Sequence, residues 1–293
     1  MEESSKVNVI AVPYDSGHRG LRMGAGPEHL LNNGLGEALR SAGLGPSFST
    51  VRPEGDPPAE VATAFEIAGL VSARVREAAS EGGFPLVLSG NCNASVGTLA
   101  GAGPEGIGIV WFDAHPDFNT PETTTTGFTD GMGLAVAVGH CWKTMAGAVP
   151  GFGPVPEANV VLAGTRDAQP AENERLAASD VAVVDADRLG RAGLPALTAA
   201  LDDMRSRGVD RVYVHLDLDV LDAGTVGRAN GFAPEGGLGA EELLAALGMV
   251  RDRFDVAAAG IASYDPSFDA DGRVLRTALA CAPMLAHPST PAV

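Results

Sequence analysis

The sequence predicts an α/β protein with a parallel sheet that is covered by helices on both faces. Short runs rich in Val and Ile are typical of buried strands, and Ala-rich segments with helical spacing of their apolar residues separate these runs. Alternation of this kind indicates βαβ units. No sharp change in composition divides the chain, so we expect a single domain over residues 1–293.

The individual elements follow from these two patterns. The predicted strands, in chain order, are 7–12, 85–89, 107–112, 160–163, 181–184, 212–218 and 256–262. The predicted helices are 27–42, 59–80, 194–208 and 240–254. In the first of these helices Leu30, Leu31, Leu35 and Leu39 form one apolar stripe.

The charge balance excludes several classes of partner. The chain has 37 acidic and 20 basic residues, which gives a net charge of −17. A surface this negative repels nucleic acids and anionic membranes and attracts cations. The three widely spaced cysteines, the lack of a signal-peptide pattern and the absence of any run of 18 apolar residues predict a cytoplasmic protein without a membrane partner.

The first chemical motif follows the predicted strand 107–112. Asp113, His115 and Asp117 alternate along the chain, so their side chains project to one side if the extended conformation continues. Two carboxylates and an imidazole suit a divalent metal of intermediate hardness. The alternative interpretation is a hydrogen-bonded turn.

The second motif lies at the end of the predicted strand 212–218, where Asp217 and Asp219 point the same way. Two buried like charges are costly unless a cation, a shared proton or an arginine compensates them. An EF-hand loop is excluded, because Asp222 and Arg228 occupy the positions that need Gly and Glu. Together, the two motifs predict a shared metal site.

In sequence and order, the two motifs resemble those of the ureohydrolase family, which includes arginase and agmatinase and carries D-A-H-x-D and S-x-D-x-D. The similarity extends to segments 19–27, 88–101, 113–127 and 164–167. The resemblance implies a three-layer α/β/α fold around an eight-stranded, mainly parallel sheet. It also implies a homo-oligomer, either a trimer or a hexamer.

The resemblance further implies a pair of Mn²⁺ ions and a small cationic guanidino substrate. Asp113 and Asp217 would bridge the ions, Asp117 would bind one of them, and His115 and Asp219 would bind the other. The implied reaction is hydrolysis of a C–N bond of a guanidino or hydroxyguanidino compound, which releases urea or hydroxyurea. Asp117 would also orient the nucleophile.

The sequence departs from the family at two positions of the metal motifs. Cys92 stands where the family has a metal-binding His, and a thiolate suits zinc better than manganese. Cys92 is therefore either a sixth metal ligand or a small buried apolar residue. In the second motif, His215 replaces the family's Ser.

Two further departures concern catalysis. Asp130 stands where arginases have a His that is proposed to shuttle protons. The alternative, which the sequence favours, is a solvated loop aspartate. Ser263 replaces a Glu that clamps the guanidinium group, and Asp265 would supply the missing charge if the backbone there is extended.

The residues that would hold the rest of the substrate are only partly present. Asn119 matches the arginase pattern and Thr126 is a close substitute, whereas Phe128 and Gln169 replace an Asn and an Asp. Cys92 and the Thr-rich run after Asn119 are similar to the Nω-hydroxy-L-arginine amidinohydrolase branch. That branch keeps the Glu that is lost here.

Two alternative functions remain open at this stage. The replaced His, proton shuttle and clamp favour a non-catalytic metal-binding relative, although unneeded buried carboxylates would be costly. The other alternative is a hydrolase that acts on a formimino-type amidine.

Overall fold

The structure, a computed structural model, describes residues 4–54, 59–191 and 194–287. The strands are β1 (Ser5–Val12), β2 (Tyr14–Asp15), β3 (His18–Arg19), β4 (Leu44–Thr50), β5 (Phe84–Ser89), β6 (Ile107–Phe112), β7 (Val160–Ala163), β8 (Ala182–Val184), β9 (Arg211–Asp217) and β10 (Asp255–Ala262). The helices are α1 (Gly26–Asn32), α2 (Leu35–Ser41), α3 (Glu60–Ser80), α4 (Ala94–Ala102), α5 (Gly133–Ala137), α6 (Lys143–Gly147), α7 (Pro170–Ala177), α8 (Ala186–Arg191), α9 (Pro195–Ser206), α10 (Ala240–Arg251) and α11 (Arg273–Ala286).

Eight of the described strands form one sheet in the order β4-β1-β5-β10-β9-β6-β7-β8. Every neighbouring pair in this sheet is parallel. The remaining strands, β2 and β3, form a small antiparallel ribbon. The predicted eight-stranded α/β fold is thus confirmed.

Alternate residues of each strand point to opposite faces of the sheet. Both faces therefore carry apolar side chains, and helices cover both of them. In β9, Val212, Val214 and Leu216 join the core under helices α1, α2, α9, α10 and α11. Tyr213 faces the other way, toward the core that includes α4 and α5. The alternation continues through His215 to Asp217, which places both of these side chains on the second face.

The order of the sheet brings four strand ends together. Strands β5, β10, β9 and β6 are consecutive neighbours at the centre, and parallel strands end at the same edge. The segments that follow these strands carry Cys92, Asp113, Asp219 and Ser263, and Asp217 is the last residue of β9. Open α/β sheets bind ligands at this edge.

Several elements differ from the predictions, and the helices α4 to α8 and the strands β2 and β3 are among those that were not predicted. The predicted helix 27–42 is two helices, because Gly34 adopts a positive φ of 111° between α1 and α2. Strand β4 was not predicted, since its composition, with Pro46 and Gly45, is unusual for a strand, and it lies at the sheet edge where such residues are tolerated. Helix α11 was also missed, and Pro283 lies inside it.

Among the described residues, no helix is both long enough and apolar enough to cross a bilayer.

Two helix glycines, Gly97 on α4 and Gly69 on α3, give a matched test of how α4 packs on α3. A Cβ at Gly97 would lie 2.3 Å from the carbonyl oxygen of Ala68, whereas a Cβ at Gly69 would meet no atom within 4 Å. We expect Gly97→Ala to lower the free energy of unfolding by about 1–3 kcal/mol through overpacking. Gly69→Ala should raise it by about 0.5–1 kcal/mol through helix propensity.

Urea unfolding of both variants would measure these changes. A Gly97→Ala protein that is as stable as the Gly69→Ala protein would contradict the close packing of α3 on α4.

Candidate metal centre

Potential metal ligands at the carboxyl edge of the sheet form two groups. The first contains Cys92, Asp113, His215 and Asp217, and the second contains Asp113, His115 and Asp219. Within each group the ligand atoms all lie within 4.8 Å of one another. Asp113 belongs to both groups, which is the position of a residue that bridges two ions.

Backbone and side-chain hydrogen bonds hold these carboxylates in place. The indole Nε1 of Trp111 donates to Oδ2 of Asp113 at 2.9 Å, and the backbone N–H of His115 donates to Oδ1 at 2.7 Å. The backbone N–H of Asp219 donates to Oδ1 of Asp217 at 2.8 Å. The N–H of Ala114 donates to Oδ1 of Asp219 at 3.1 Å, which ties the loop after β6 to the loop after β9.

His115 is the cationic partner of the second group. Its Nδ1 lies 3.2 Å from Oδ2 of Asp219 and 3.5 Å from Oδ1 of Asp113. Burial lowers the pKa of His115, but the carboxylates of Asp219 and Asp113 outweigh burial and raise this pKa to about 12. The imidazole therefore holds a proton at neutral pH, and a metal ion that binds this ring must displace it.

Asp117 has a conformation that the sequence did not predict. Its φ is +50°, so the extended conformation does not continue from Asp113 to Asp117, and the expected common direction of the three side chains is wrong. Asp117 nevertheless lines the same cavity, and its Oδ2 is buried without a hydrogen-bond partner. Asp117 belongs to neither group, so its role as a ligand stays a prediction.

The site concentrates negative charge, and among the described residues no arginine forms an ion pair with the carboxylates of Asp113, Asp117, Asp217 or Asp219. Burial, followed by nearby carboxylates, raises the pKa of Asp217 and of Asp117 above the usual range. Arg166 donates to the backbone carbonyl oxygen of Asp219 at 2.7 Å, and its other described hydrogen bonds also go to backbone carbonyl oxygens. Buried, unneutralised carboxylates with an unpartnered oxygen fit a divalent cation.

Cys92 points into this site. Its Sγ donates to Oδ2 of Asp217 at 2.9 Å and lies 3.3 Å from Oγ of Ser263. Burial and the charge of Asp217 raise the pKa of the Cys92 thiol well above its ordinary value. A cation at the same point would favour the thiolate. The sulfur is thus placed as a ligand would be, although the residue is also fully packed.

A cavity of about 380 Å³ opens above the two groups. Its walls include these predicted site residues: Cys92, His115, Asp117, Asn119, Thr126, Asp130, Asp217, Asp219 and Ser263. Asn119 is buried and accepts a hydrogen bond from Thr123 at 2.9 Å, whereas Thr126 is exposed at the rim. At the rim Phe128 also stacks on Phe232, with ring centroids 5.4 Å apart.

Asp130 is not the solvated aspartate that the sequence favoured. Its side chain is buried, and it accepts hydrogen bonds from Nδ2 of Asn91 at 2.8 Å and from the N–H of Asn93 at 3.1 Å. Burial raises the pKa of Asp130 to about 8. The carboxyl group therefore lies in the cavity wall and keeps a proton near neutral pH.

Asp265 does not supply the charge that is missing at Ser263. Ser263 has a φ of +63°, so the backbone is not extended and the expected common direction fails. The Oδ1 of Asp265 instead accepts hydrogen bonds from the backbone N–H and the hydroxyl of Ser267, at 2.9 and 2.7 Å. Asp265 caps its own turn and is not among the residues that line the cavity.

Comparison with known proteins decides the family. A model of the arginase family matches residues 5–287. The chain belongs to the arginase family. The predicted membership of the ureohydrolases is thus confirmed.

Three relatives illustrate the extent of the likeness. Arginase of Bacillus subtilis (strain 168) is 29% identical over 288 residues, which cover 93% of this chain and 95% of that protein. The crystal structure of arginase from Bacillus cereus matches with a TM-score of 0.87 and 25% identity, over 98% of this chain and 100% of that one. Formimidoylglutamase from Bacillus subtilis matches with a TM-score of 0.75 and 18% identity, over 97% and 87% of the chains, which shows the fold alone.

Sequence reasoning missed two features of this arginase-family site. His215 was noted only as a departure from Ser, yet it belongs to the first ligand group. His215 lies two residues before Asp217 in the same strand, so the two side chains share a face, and this spacing could have predicted that His215 reaches the site. Glu172 lines the cavity and accepts a hydrogen bond from the N–H of Phe118 at 2.9 Å, and no sequence signal separated it from an ordinary helix-start glutamate.

Two isosteric substitutions should affect the metal-free protein in opposite ways. Asp217→Asn removes a charge repelled by its neighbours, so we expect the free energy of unfolding to be unchanged or increased. Asp219→Asn breaks the buried pair with His115 and should lower it by about 3 kcal/mol. Both variants should bind divalent metal more than about tenfold more weakly.

Denaturation in the presence of a chelator and calorimetric metal titration would measure both effects. If Asp217→Asn proved the more destabilising variant and bound metal as the wild type does, Asp217 would be a structural residue and not a metal ligand.

Proposed function

We propose that this arginase-family protein is a metal-dependent hydrolase that cleaves a C–N bond of a guanidino or hydroxyguanidino small molecule. The observation that carries the proposal is the presence of two ligand groups that share Asp113 at the base of one negatively charged cavity. We propose Mn²⁺ or another divalent ion as the cofactor, with one or two ions bound. A cytoplasmic homo-oligomer, a trimer or a hexamer, stays a prediction from composition and resemblance.

The proposed ligands divide between two positions. Asp113 and Asp217 would bridge them, His115 and Asp219 would complete one, and Asp117 with Cys92 would contribute to the other. When bound, a divalent metal lowers the pKa of water and so provides a nucleophile near neutral pH. Asp117, whose Oδ2 is buried and unpartnered, would orient that nucleophile by accepting its proton in a hydrogen bond.

The cavity wall suits a positively charged or hydrogen-bond-donating substrate. Asp167 and Glu172 line it above the metal ligands, and guanidinium-like groups donate hydrogen bonds to carboxylates. Asn119 and Thr126 would bind the far end of the substrate. These contacts would orient the substrate, so that its reacting carbon faces the nucleophile in a favourable geometry.

Asp130 would supply the proton for the leaving nitrogen. Burial raises its pKa to about 8, and the hydrogen bonds from Asn91 and Asn93 fix its carboxyl group in the wall. An acid with a pKa near the working pH is the most effective proton donor. The buried position of this side chain favours that role over the solvated alternative.

Cys92 and the Thr-rich run after Asn119, which are similar to the Nω-hydroxy-L-arginine amidinohydrolase branch, favour a less basic substrate, and Ser263 is the position at which this chain departs from that branch. Ser263 provides a hydroxyl group beside Cys92, 3.3 Å from its sulfur, where the family clamp is a carboxylate. A hydroxyguanidine is less basic than a guanidine and depends less on such a charge. We therefore propose the hydroxyguanidino class, represented by Nω-hydroxy-arginine, ahead of arginine or agmatine.

A substrate panel tests this proposal. The protein loaded with Mn²⁺ is assayed with arginine, agmatine, Nω-hydroxy-arginine and a formimino amino acid, and products are identified by mass. Release of urea or hydroxyurea supports the proposal. Release of formamide from the formimino compound alone would replace it with the amidine alternative, and no turnover with metal bound would favour the non-catalytic relative.

The acid role of Asp130 predicts a specific kinetic change. Asp130→Asn keeps the acceptor oxygen but cannot donate a proton, so we expect kcat to fall about 10²–10⁴-fold with metal binding unchanged. In the wild type, kcat should fall as the pH rises through the pKa of Asp130. A bound cation lowers that pKa, so this limb should lie no higher than about pH 8.

Asp252→Asn, at an exposed aspartate after α10, is the matched control and should leave the pH profile unchanged. An Asp130→Asn enzyme that keeps both kcat and the alkaline limb would refute the acid role.

A further inference from the structure

His215 has an unsatisfied nitrogen in the middle of the protein. The side chain is 1% exposed, and its ring stacks on Trp111 with centroids 3.7 Å apart. Nδ1 lies 2.9 Å from the hydroxyl of Tyr213, whereas Nε2 is buried without any hydrogen-bond partner. A buried polar atom without a partner is costly, so its presence points to a partner that binds there.

The surroundings of His215 identify the kind of partner. A ring nitrogen of His215 lies within 4.8 Å of the Cys92 sulfur and of carboxylate oxygens of Asp113 and Asp217. Because the Tyr213 hydroxyl already occupies Nδ1, Nε2 is the nitrogen left for a ligand.

The two departures from the family motifs are complementary. One imidazole is lost where Cys92 replaces the family's His in the segment after β5. One imidazole is gained where His215 replaces the family's Ser in β9. Both side chains reach the same point, since the Cys92 sulfur donates to Asp217, two residues beyond His215 in the strand.

We propose that Nε2 of His215 is a metal ligand, which replaces the imidazole missing at Cys92 and forms a site of one thiolate, one imidazole and two carboxylates. The inference rests on metal binding, as does the proposed function, but not on any reaction. Thiolate and imidazole ligands suit zinc, whereas oxygen ligands suit manganese. This position should therefore favour Zn²⁺ over Mn²⁺ more strongly than a site with histidine in place of Cys92.

Neighbouring residues hold the ring as a ligand needs to be held. The Tyr213 hydroxyl fixes the orientation of the ring through Nδ1, which is how metal-binding histidines are usually supported. Trp111 stacks on the ring and also donates to Asp113, so one side chain positions two ligands. Gly260 on β10 leaves room for this pair, because a Cβ there would lie 2.5 Å from the Tyr213 hydroxyl.

The test compares four variants of the whole protein. His215→Ser removes the imidazole, and the double variant Cys92→His/His215→Ser returns an imidazole from the other side of the site. Tyr213→Phe keeps the ring but removes its hydrogen bond. His18→Ser, at an exposed histidine, is the matched control.

Binding of Zn²⁺ and Mn²⁺ is measured by competition with a chromophoric chelator, and bound zinc is examined by X-ray absorption. We expect His215→Ser to weaken the binding of one Zn²⁺ ion more than tenfold. Tyr213→Phe should weaken the binding of the same ion about tenfold. The double variant should bind Mn²⁺ more tightly than His215→Ser, with a Zn²⁺ preference more than tenfold below that of the wild type. The wild-type zinc spectrum should require one sulfur at about 2.3 Å and an imidazole that His215→Ser loses.

The outcomes separate this inference from the proposed function. If the wild type binds metal and His215→Ser binds it with the same stoichiometry and affinity, His215 is only a stacked core residue and the inference is wrong. If the wild type binds no divalent metal, both the inference and the proposed function are wrong. If His215→Ser does not fold, the zinc spectra of the wild type and of Tyr213→Phe still decide whether an imidazole beyond that of His115 binds the ion.

Discussion

The structure depends on how its buried carboxylates are neutralised. Asp113, Asp117, Asp217 and Asp219 are each less than about a tenth exposed, and the only cationic side chain paired with them among the described residues is His115. One imidazolium cannot compensate four carboxylates in a low-dielectric environment. The protein therefore either keeps several protons at this point or binds a cation, and the cavity above it gives a cation a way in.

Sheet topology explains why this charge can be concentrated without unfolding the protein. The central strands β5, β10, β9 and β6 are buried on both faces by apolar side chains, so their positions are fixed independently of the site. Each contributes residues only at its carboxyl end, where backbone N–H groups are available to hold carboxylates. The apolar core therefore stabilises the fold, and the carboxylates buried at the strand ends destabilise it.

Most of the fold and part of the site could be predicted from the sequence. Runs rich in Val and Ile identified the central strands, because those strands are buried on both faces, and helical spacing of apolar residues identified several of the helices. Pattern alone could not identify β4, an edge strand that contains Pro46. The expectation that alternate side chains point the same way was wrong at Asp117 and Ser263. Both residues adopt a positive φ that no local residue preference demands, so the backbone is not extended there. The burial of Asp130 depends on contacts with Asn91 and Asn93, which are distant in sequence.

The altered positions are best understood as a set and not as separate losses. Taken singly, Cys92 and His215 each weaken the likeness to an arginase-family metal site. In the structure they belong to the same ligand group, although Cys92 follows β5 and His215 lies in β9, and β10 separates these two strands in the sheet. The unpartnered Nε2 belongs to an imidazole that lies beside the carboxylates of Asp113 and Asp217. The proposed ligand set of one thiolate, one imidazole and two carboxylates would change the preferred metal of the site while its location stays the same.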